Sequence, residues 1–173
     1  MTRLRLVVPT LTLVLTTAAL AGGAGSPAPG ITVLGGCVPG FVQPSSTELA
    51  RQLKAAQARW KASGIQAYSF DFDQIAQPVR FALTRITVRP SDRLNAVTPD
   101  GDPPSPAALR ATVHGLFDSI AQSIAFARRQ PCVELKVGYA PDGHPVSLSL
   151  EQRNVNIADG GASWTVSGFR RLK

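Results

Sequence analysis

The sequence predicts an α+β domain in which two helices pack on one face of an antiparallel sheet of five to six strands. Two long stretches repeat apolar residues at helical spacing, and other segments alternate apolar and polar residues as half-buried strands do. Short connections between such one-faced strands favour antiparallel pairing. The predicted order is therefore a helix, two or three strands, a second helix and three further strands.

The first helix is predicted to begin just after Ser45. The segment Ser45-Ser46-Thr47-Glu48 has the spacing of a capping box, in which two side chains bind the free amides of the first turn. Gly64 is placed to end the helix in the left-handed conformation. The apolar stripe of this helix consists of Leu49, Leu53, Ala56 and Trp60.

Strand signals follow the first helix. Three aromatic residues point to one side of the first predicted strand: Tyr68, Phe70 and Phe72. The alternation changes phase between Leu83 and Ile86, which predicts either a bulge near Thr84 and Arg85 or two separate short strands. A hairpin turn and its return strand are predicted over residues 90–98, and the proline-rich segment after them is predicted to be a loop.

The second helix has the clearest periodicity in the chain. Thr112 is predicted to cap its start, Arg128 and Arg129 suit the charge of its C-terminal end, and Pro131 stops it. Its apolar stripe consists of Val113, Leu116, Phe117, Ile120, Ile124 and Ala127. Three strands are predicted after it, with these apolar residues: Val133, Leu135, Val137 and Tyr139; Val146, Leu148 and Leu150; Trp164, Val166 and Phe169.

The N-terminal residues have the order of a secretory signal peptide. Arg3 and Arg5 make the end basic, an uncharged apolar run follows, and Ala19-Leu20-Ala21 suits signal peptidase. A membrane anchor is the alternative, but the run is shorter than the ~20 residues that span a bilayer, and Pro9 interrupts it. We therefore expect an exported protein, periplasmic, cell-envelope or secreted, without a transmembrane segment after cleavage. The predicted organisation is a signal peptide (1–21), a flexible linker or wrapped arm (22–44) and one α+β domain (45–173).

The charge of the chain limits its partners. Lys and Arg number 18 against 11 acidic residues, and removal of Arg3 and Arg5 with the signal leaves a formal charge of +5. The cations are spread along the sequence and are not interleaved with aromatic residues, so nucleic acid is not expected as a partner. A basic surface can hold a protein near anionic lipid or polymer. The expected partners are an envelope protein or an anionic surface.

Cys37 and Cys132 are the two cysteines. A disulfide is predicted first, since an even count in an exported protein favours pairing. It would close a loop of about 95 residues, worth on the order of 4 kcal/mol. Free thiols are a second possibility. The third is lipidation of Cys37, because Leu34-Gly35-Gly36-Cys37 looks like a lipoprotein box, although residues 22–30 separate it from the apolar run.

The sequence contains no motif for catalysis or metal binding. It has no His-Glu-x-x-His, no cysteine pair at zinc spacing and no Gly-x-Ser-x-Gly elbow, so no catalytic residue, cofactor or metal is predicted. The weak candidates for chemistry are His144, Asp71 and Asp73. His144 lies in a hairpin turn where Asp142 or Glu134 can approach, and the two aspartates share the polar face of one strand. His114 is interpreted as an exposed helix residue.

A set of short motifs occurs in order along the chain: Trp60, Tyr68-Ser69-Phe70, Thr112-Val113-x-x-Leu116-Phe117 and Tyr139-x-Pro141-x-Gly143-x-Pro145. Together, over about residues 49–169, they resemble a family of small exported bacterial domains, often lipoproteins, that has no assigned activity. The resemblance therefore implies no functional residue. This chain departs from the family pattern at residues 74–78, where cysteines are common, at Ala140, where Asp is common, and at His144, where an aromatic residue is usual.

Two functional hypotheses follow. The favoured one is a non-catalytic envelope or secreted module that binds its partner through the exposed face of the sheet, where Asp71, Asp73, Glu134 and Lys136 are predicted to lie. The alternative is a hydrolase-like enzyme whose site assembles from dispersed residues such as His144 and Asp71.

Overall fold

The computed structural model describes residues 36–90, 93–154 and 160–173, and the predicted signal peptide lies outside them. The described elements are, in chain order, α1 (Ser46–Ser63), β1 (Tyr68–Ala76), β2 (Val79–Arg80), β3 (Thr84–Arg89), β4 (Arg93–Val97), a 3-10 helix (Ala108–Arg110), α2 (Val113–Arg129), β5 (Val133–Tyr139), β6 (Pro145–Gln152) and β7 (Gly161–Arg171). The predicted α+β class and its helix–strands–helix–strands order are confirmed.

The described strands form one antiparallel sheet. Their order across it is β4-β3-β1-β7-β6-β5, and the two-residue β2 pairs with the end of β1. This short strand raises the number to seven, above the predicted five to six. The first and last long strands are neighbours at the centre, so the two halves of the sequence share one sheet.

Helix α1 begins and ends where the sequence predicts. The Ser45 side chain accepts a hydrogen bond from the Glu48 N–H, and Gly64 closes the helix with φ +64°. Only half of the predicted capping box forms, because the Glu48 carboxylate binds Arg51 instead. The predicted stripe is buried: Leu49, Leu53, Ala56 and Trp60.

Helix α2 is held at both ends by contacts with the rest of the fold. Thr112 caps it by accepting from the Gly115 N–H, and the Tyr68 hydroxyl on β1 accepts from the Val113 N–H at 2.9 Å. At its other end Gln43 donates to the Ala127 carbonyl oxygen at 2.7 Å. All six residues of the predicted apolar stripe are buried. Both helices therefore contribute to one core with the inner face of the sheet, which includes Tyr68, Phe70, Phe72, Ile86, Val88, Leu135, Leu148 and Trp164.

The phase change after β1 comes from two separate strands. Strand β2 ends at Arg80, β3 begins at Thr84, and the β1–β3 register is continuous, so the alternative of a bulge near Thr84 and Arg85 is wrong. A bulge lies instead between β1 and β7, where Gly168 and Phe169 together face the single residue Phe70. Gly168 has φ +59°, and the extra residue turns Phe169 toward the core.

Cys37 and Cys132 form the predicted disulfide, which joins residues 95 positions apart. The segment around Cys37 also contacts the end of the sheet: Cys37 makes a β-bridge with Asn154, and the Val38 N–H donates to the Arg153 carbonyl oxygen at 2.8 Å. None of the described helices combines the length and the hydrophobicity that a membrane span requires.

Candidate functional site

The side of the sheet away from the helices, here called the open face, contains the predicted acidic residues. Strand alternation brings polar side chains from five neighbouring strands to this side. They are Arg85 and Thr87 on β3, Asp71 and Asp73 on β1, Ser163, Thr165 and Ser167 on β7, Ser147, Ser149 and Glu151 on β6, and Glu134 and Lys136 on β5. Hydroxyl groups therefore occupy the centre, with ionisable groups on both sides.

Asp71 and Asp73 lie together on this face, and each has its own cation. Arg85, the cross-strand neighbour of Asp71, binds both carboxylate oxygens, with 2.9 Å between Arg85 Nη2 and Asp71 Oδ2. Arg80 Nη2 lies 2.5 Å from Asp73 Oδ2. The two aspartates are thus ion-pair partners of arginines. Among the described residues no three His, Cys, Asp or Glu side chains are grouped as metal ligands.

A second ion-pair network lies across β5 and β6. Glu134 and Glu151 are directly opposite each other, which by itself is unfavourable. Arg153 bridges them, with Nε 2.8 Å from Glu134 Oε2 and Nη2 2.8 Å from Glu151 Oε2, and Lys136 Nζ lies 2.7 Å from Glu134 Oε1. Hydrogen bonds from Lys136 and Arg153 lower the pKa of Glu134, and the bond to Glu134 raises the pKa of Arg153. All four predicted acidic and basic residues of the open face are therefore ion-paired.

One end of the open face is strongly basic. Arg89 and Arg93 are cross-strand partners on β3 and β4, and Arg170 is paired in register with Ser69 on β1. The three side chains are exposed and make no ion pair with another described residue. We call this group the arginine end. Two like charges opposite each other favour an anion between or above them.

Some of the hydroxyl-bearing residues of the open face line a small hollow. This hollow, lined by Ile75, Ser149, Glu151 and Ser163, has a volume of about 30 Å³. Pockets that bind small molecules have volumes of roughly 300–1,000 Å³. The geometry of this hollow therefore suits contact with a large surface better than enclosure of a small molecule.

His144 is buried on the helix side of the sheet. Its ring stacks on Phe169 with centroids 3.9 Å apart and meets the edge of Trp60, while Nδ1 lies 2.6 Å from Asp142 Oδ1. The hairpin between β5 and β6 packs so closely against α1 that a Cβ at Gly143 would lie 2.2 Å from the Ala56 carbonyl oxygen. The ring thus fills the place where the resembled family usually has an aromatic residue. His144 and Asp71 lie on opposite sides of the sheet and are not brought together.

Sequence reasoning missed a pocket beside α2, here called the Trp164 pocket. It encloses about 540 Å³; Phe72, Leu116 and Trp164 form its buried apolar part, and Arg110, Asp118 and Gln122 are polar members of its lining. The indole N–H of Trp164 is buried and has no acceptor among the described residues. The sequence pattern had indicated Trp164 only as a core residue. Arg110 lies in a one-turn 3-10 helix, which is too short to produce a periodic pattern in the sequence.

His114 is exposed, as predicted, and lines a groove between the two helices. This groove encloses about 510 Å³ and is also lined by Trp60, Lys61 and Phe117.

The fold and these surfaces define a small antiparallel α+β domain with one helix-covered and one open sheet face. The chain belongs to DUF6174, a family of unknown function, which matches residues 52–171. This confirms the family of unknown function that the ordered motifs suggested. No curated protein and no solved structure matches the chain.

Proposed function

We propose that this protein is an exported, non-catalytic binding module whose open face binds the acidic surface of a cell-envelope protein. The observation that supports this most is the arginine end. Arg89, Arg93 and Arg170 are exposed beside a row of hydroxyl groups, on the face that the helices leave uncovered. An acidic partner surface would neutralise these cations and exchange hydrogen bonds with the hydroxyl groups.

The small volume of the hollow on the open face favours a protein over a small ligand. Interfaces between proteins bury about 800 Å² on each partner and are close to the rest of the surface in polarity. The ion pairs of Asp71 and Glu134 leave few uncompensated acidic charges on this face. An acidic partner would therefore meet little repulsion beside the arginine end.

Export is the second part of the proposal. It rests on the signal-like residues 1–21, which would be followed by a segment over 22–44 and the binding domain over 45–173. Within that segment, Cys37 and Gln43 are attached to the domain by the disulfide and by a hydrogen bond to α2. A disulfide and the lack of a spanning helix among the described residues are compatible with an exported protein. An anionic lipid surface is the competing partner for a basic patch.

Site-specific photo-crosslinking in an exporting bacterium tests the proposal. A crosslinker replaces Asn95, which is exposed on the open face, or as a control Ala58, which is exposed on α1. We expect the Asn95 position alone to capture one protein with an acidic surface. Arg89→Glu should abolish the product, whereas Lys54→Glu, the same charge reversal on α1, should retain it.

Three results would overturn this function. They are crosslinks from Ala58 alone, equal yields from both charge reversals, and no captured protein at all. Sedimentation with phosphatidylglycerol vesicles tests whether an anionic lipid surface is the partner instead. Binding to these vesicles that Arg89→Glu removes, without a crosslinked protein, would replace the protein partner by an anionic membrane.

The hydrolase-like alternative retains one observation in its favour. Asp142 binds Nδ1 of His144 at 2.6 Å, an arrangement that orients a catalytic imidazole in many hydrolases. Among the described residues, Asp142 is the hydrogen-bond partner of this ring, and no serine, threonine or cysteine side chain makes a hydrogen bond with it. A panel of ester, amide and glycoside substrates distinguishes the two functions. Hydrolysis by the native chain that His144→Phe abolishes would contradict the non-catalytic proposal.

A further inference from the structure

The geometry points to a second binding site, in the Trp164 pocket, for a small zwitterion of the aromatic α-amino acid class. This site is separate from the open face and does not depend on its partner. The pocket volume of about 540 Å³ lies within the range of small-molecule sites. Such sites combine an apolar lining with a few polar groups that fix the orientation of the ligand.

Two aromatic rings form part of the apolar lining. Phe72 and Trp164 lie with centroids 6.1 Å apart and planes 34° apart, and both residues are buried. Leu116 adds an aliphatic side chain from α2. Aromatic rings pack well against the faces and edges of other rings, so this lining favours a planar apolar body.

The indole N–H of Trp164 is a buried donor. Buried polar groups nearly always have a hydrogen-bond partner, and a tryptophan N–H is only a donor. Within the described residues this N–H has no acceptor, although Trp164 lines the pocket. The nitrogen is covered by protein, so the unpaired donor marks imperfect packing at the floor of the pocket and is not a ligand contact.

The polar lining contains one cation and one anion. Arg110 and Asp118 both line the pocket, and neither makes an ion pair with another described residue. Arg110 suits a carboxylate and Asp118 suits an ammonium group. A simple aryl acid would leave Asp118 unpaired, and an aryl amine would leave Arg110 unpaired. An aromatic α-amino acid supplies the ring, the carboxylate and the ammonium together.

Titration of the full chain with matched probes tests the site. The probes are L-phenylalanine and L-tyrosine, with phenylacetate (no ammonium), phenethylamine (no carboxylate) and glycine (no ring) as comparisons. The readout is the ¹H–¹⁵N signal of the Trp164 indole, with Trp60, which lines the other groove, as an internal control. We expect saturable shifts of the Trp164 signal with at least one of the two amino acids, at an affinity at least tenfold above each comparison probe.

Variants separate recognition from folding. Arg110→Gln and Asp118→Asn change exposed residues and should each weaken binding at least fivefold, whereas Arg129→Gln at the far end of α2 should not. The site is overturned if neither amino acid binds saturably, if phenylacetate or phenethylamine binds as tightly, or if only the Trp60 signal shifts.

Discussion

The imidazole of His144 stacks on the ring of Phe169, with centroids 3.9 Å apart and planes 15° apart. Phe169 also stacks on Tyr68 and Phe70, so His144 extends an aromatic cluster that begins on β1. Its ring therefore contributes to the core through packing, as an aromatic residue would.

Two substitutions of His144 should separate the contribution of ring packing from that of the hydrogen bond to Asp142. His144→Phe keeps the stack and loses only the bond to Asp142, so the free energy of unfolding should change by less than about 1 kcal/mol. His144→Ala removes the ring and should cost about 2–4 kcal/mol. Urea unfolding measures both. Lys54→Ala, at an exposed residue of α1, is the control, and an equally large loss there would contradict the assignment.

Gly168 is the residue that allows the bulge between β1 and β7. Its φ of +59° disfavours any side chain, and a Cβ would lie 3.2 Å from Asp71 Oδ2. Gly168→Ala should therefore lower the free energy of unfolding by about 1–2 kcal/mol. Gly36→Ala, where a Cβ would meet nothing within 4 Å, should be close to neutral. Equal effects of the two substitutions would refute this role of the bulge.

Local sequence patterns predicted the helices and strands, whereas the burial of individual side chains depends on packing between distant parts of the chain. Both apolar helix stripes could be predicted because a helix buries one face at fixed spacing. The bulge also had a local signal, since Trp164 and Val166 are two residues apart whereas Phe169 follows after three, with Gly168 between. The burial of His144 had no such signal, because it depends on the hairpin resting against α1.

The open face was partly predictable because residues at fixed spacing along a strand point to the same side of the sheet. Strand alternation places Asp71 and Glu134 on the polar side of their strands, as the sequence indicated. Their ion-pair partners depend on register and chain path. Arg85 is brought to Asp71 by the β1–β3 pairing, and Arg153 lies beyond the end of β6. The Trp164 pocket was not predictable, since a loop, a helix and two strands meet there only in the folded chain.

The disulfide between Cys37 and Cys132 fixes the segment before α1 to the start of β5. It closes a loop over a sequence separation of 95 residues. Replacing both cysteines by serine should lower the free energy of unfolding by about 4 kcal/mol, because the unfolded chain gains conformational freedom. Urea unfolding of the oxidised native chain, the reduced chain and the double variant measures this. If the oxidised chain proved no more stable than the other two, the disulfide would have no stabilising role.

Arg153 should stabilise the sheet because it separates two facing carboxylates. Arg153→Gln would leave Glu134 opposite Glu151 and should lower the melting temperature at pH 7. Since the bonds to Lys136 and Arg153 lower the pKa of Glu134, their stabilisation is present above its unfolded pKa and disappears as the pH falls through its folded pKa. The difference in melting temperature between the native chain and Arg153→Gln should therefore become smaller at acidic pH. Arg51→Gln, which breaks an exposed pair on α1, should have a smaller effect at pH 7.

Tyr139 has a buried hydroxyl without a hydrogen-bond partner among the described residues. Burial raises its pKa to about 12, against an opposing effect of the nearby Arg59 charge. The unfolded chain loses this proton near pH 10, whereas the folded chain keeps it up to about pH 12, so stability should fall between these values. Tyr139→Phe should reduce that fall and change stability at pH 7 by less than about 1 kcal/mol. Unfolding measured from pH 7 to 11.5, with absorbance at 295 nm, tests this, and an unchanged alkaline slope in the variant would show that another group titrates.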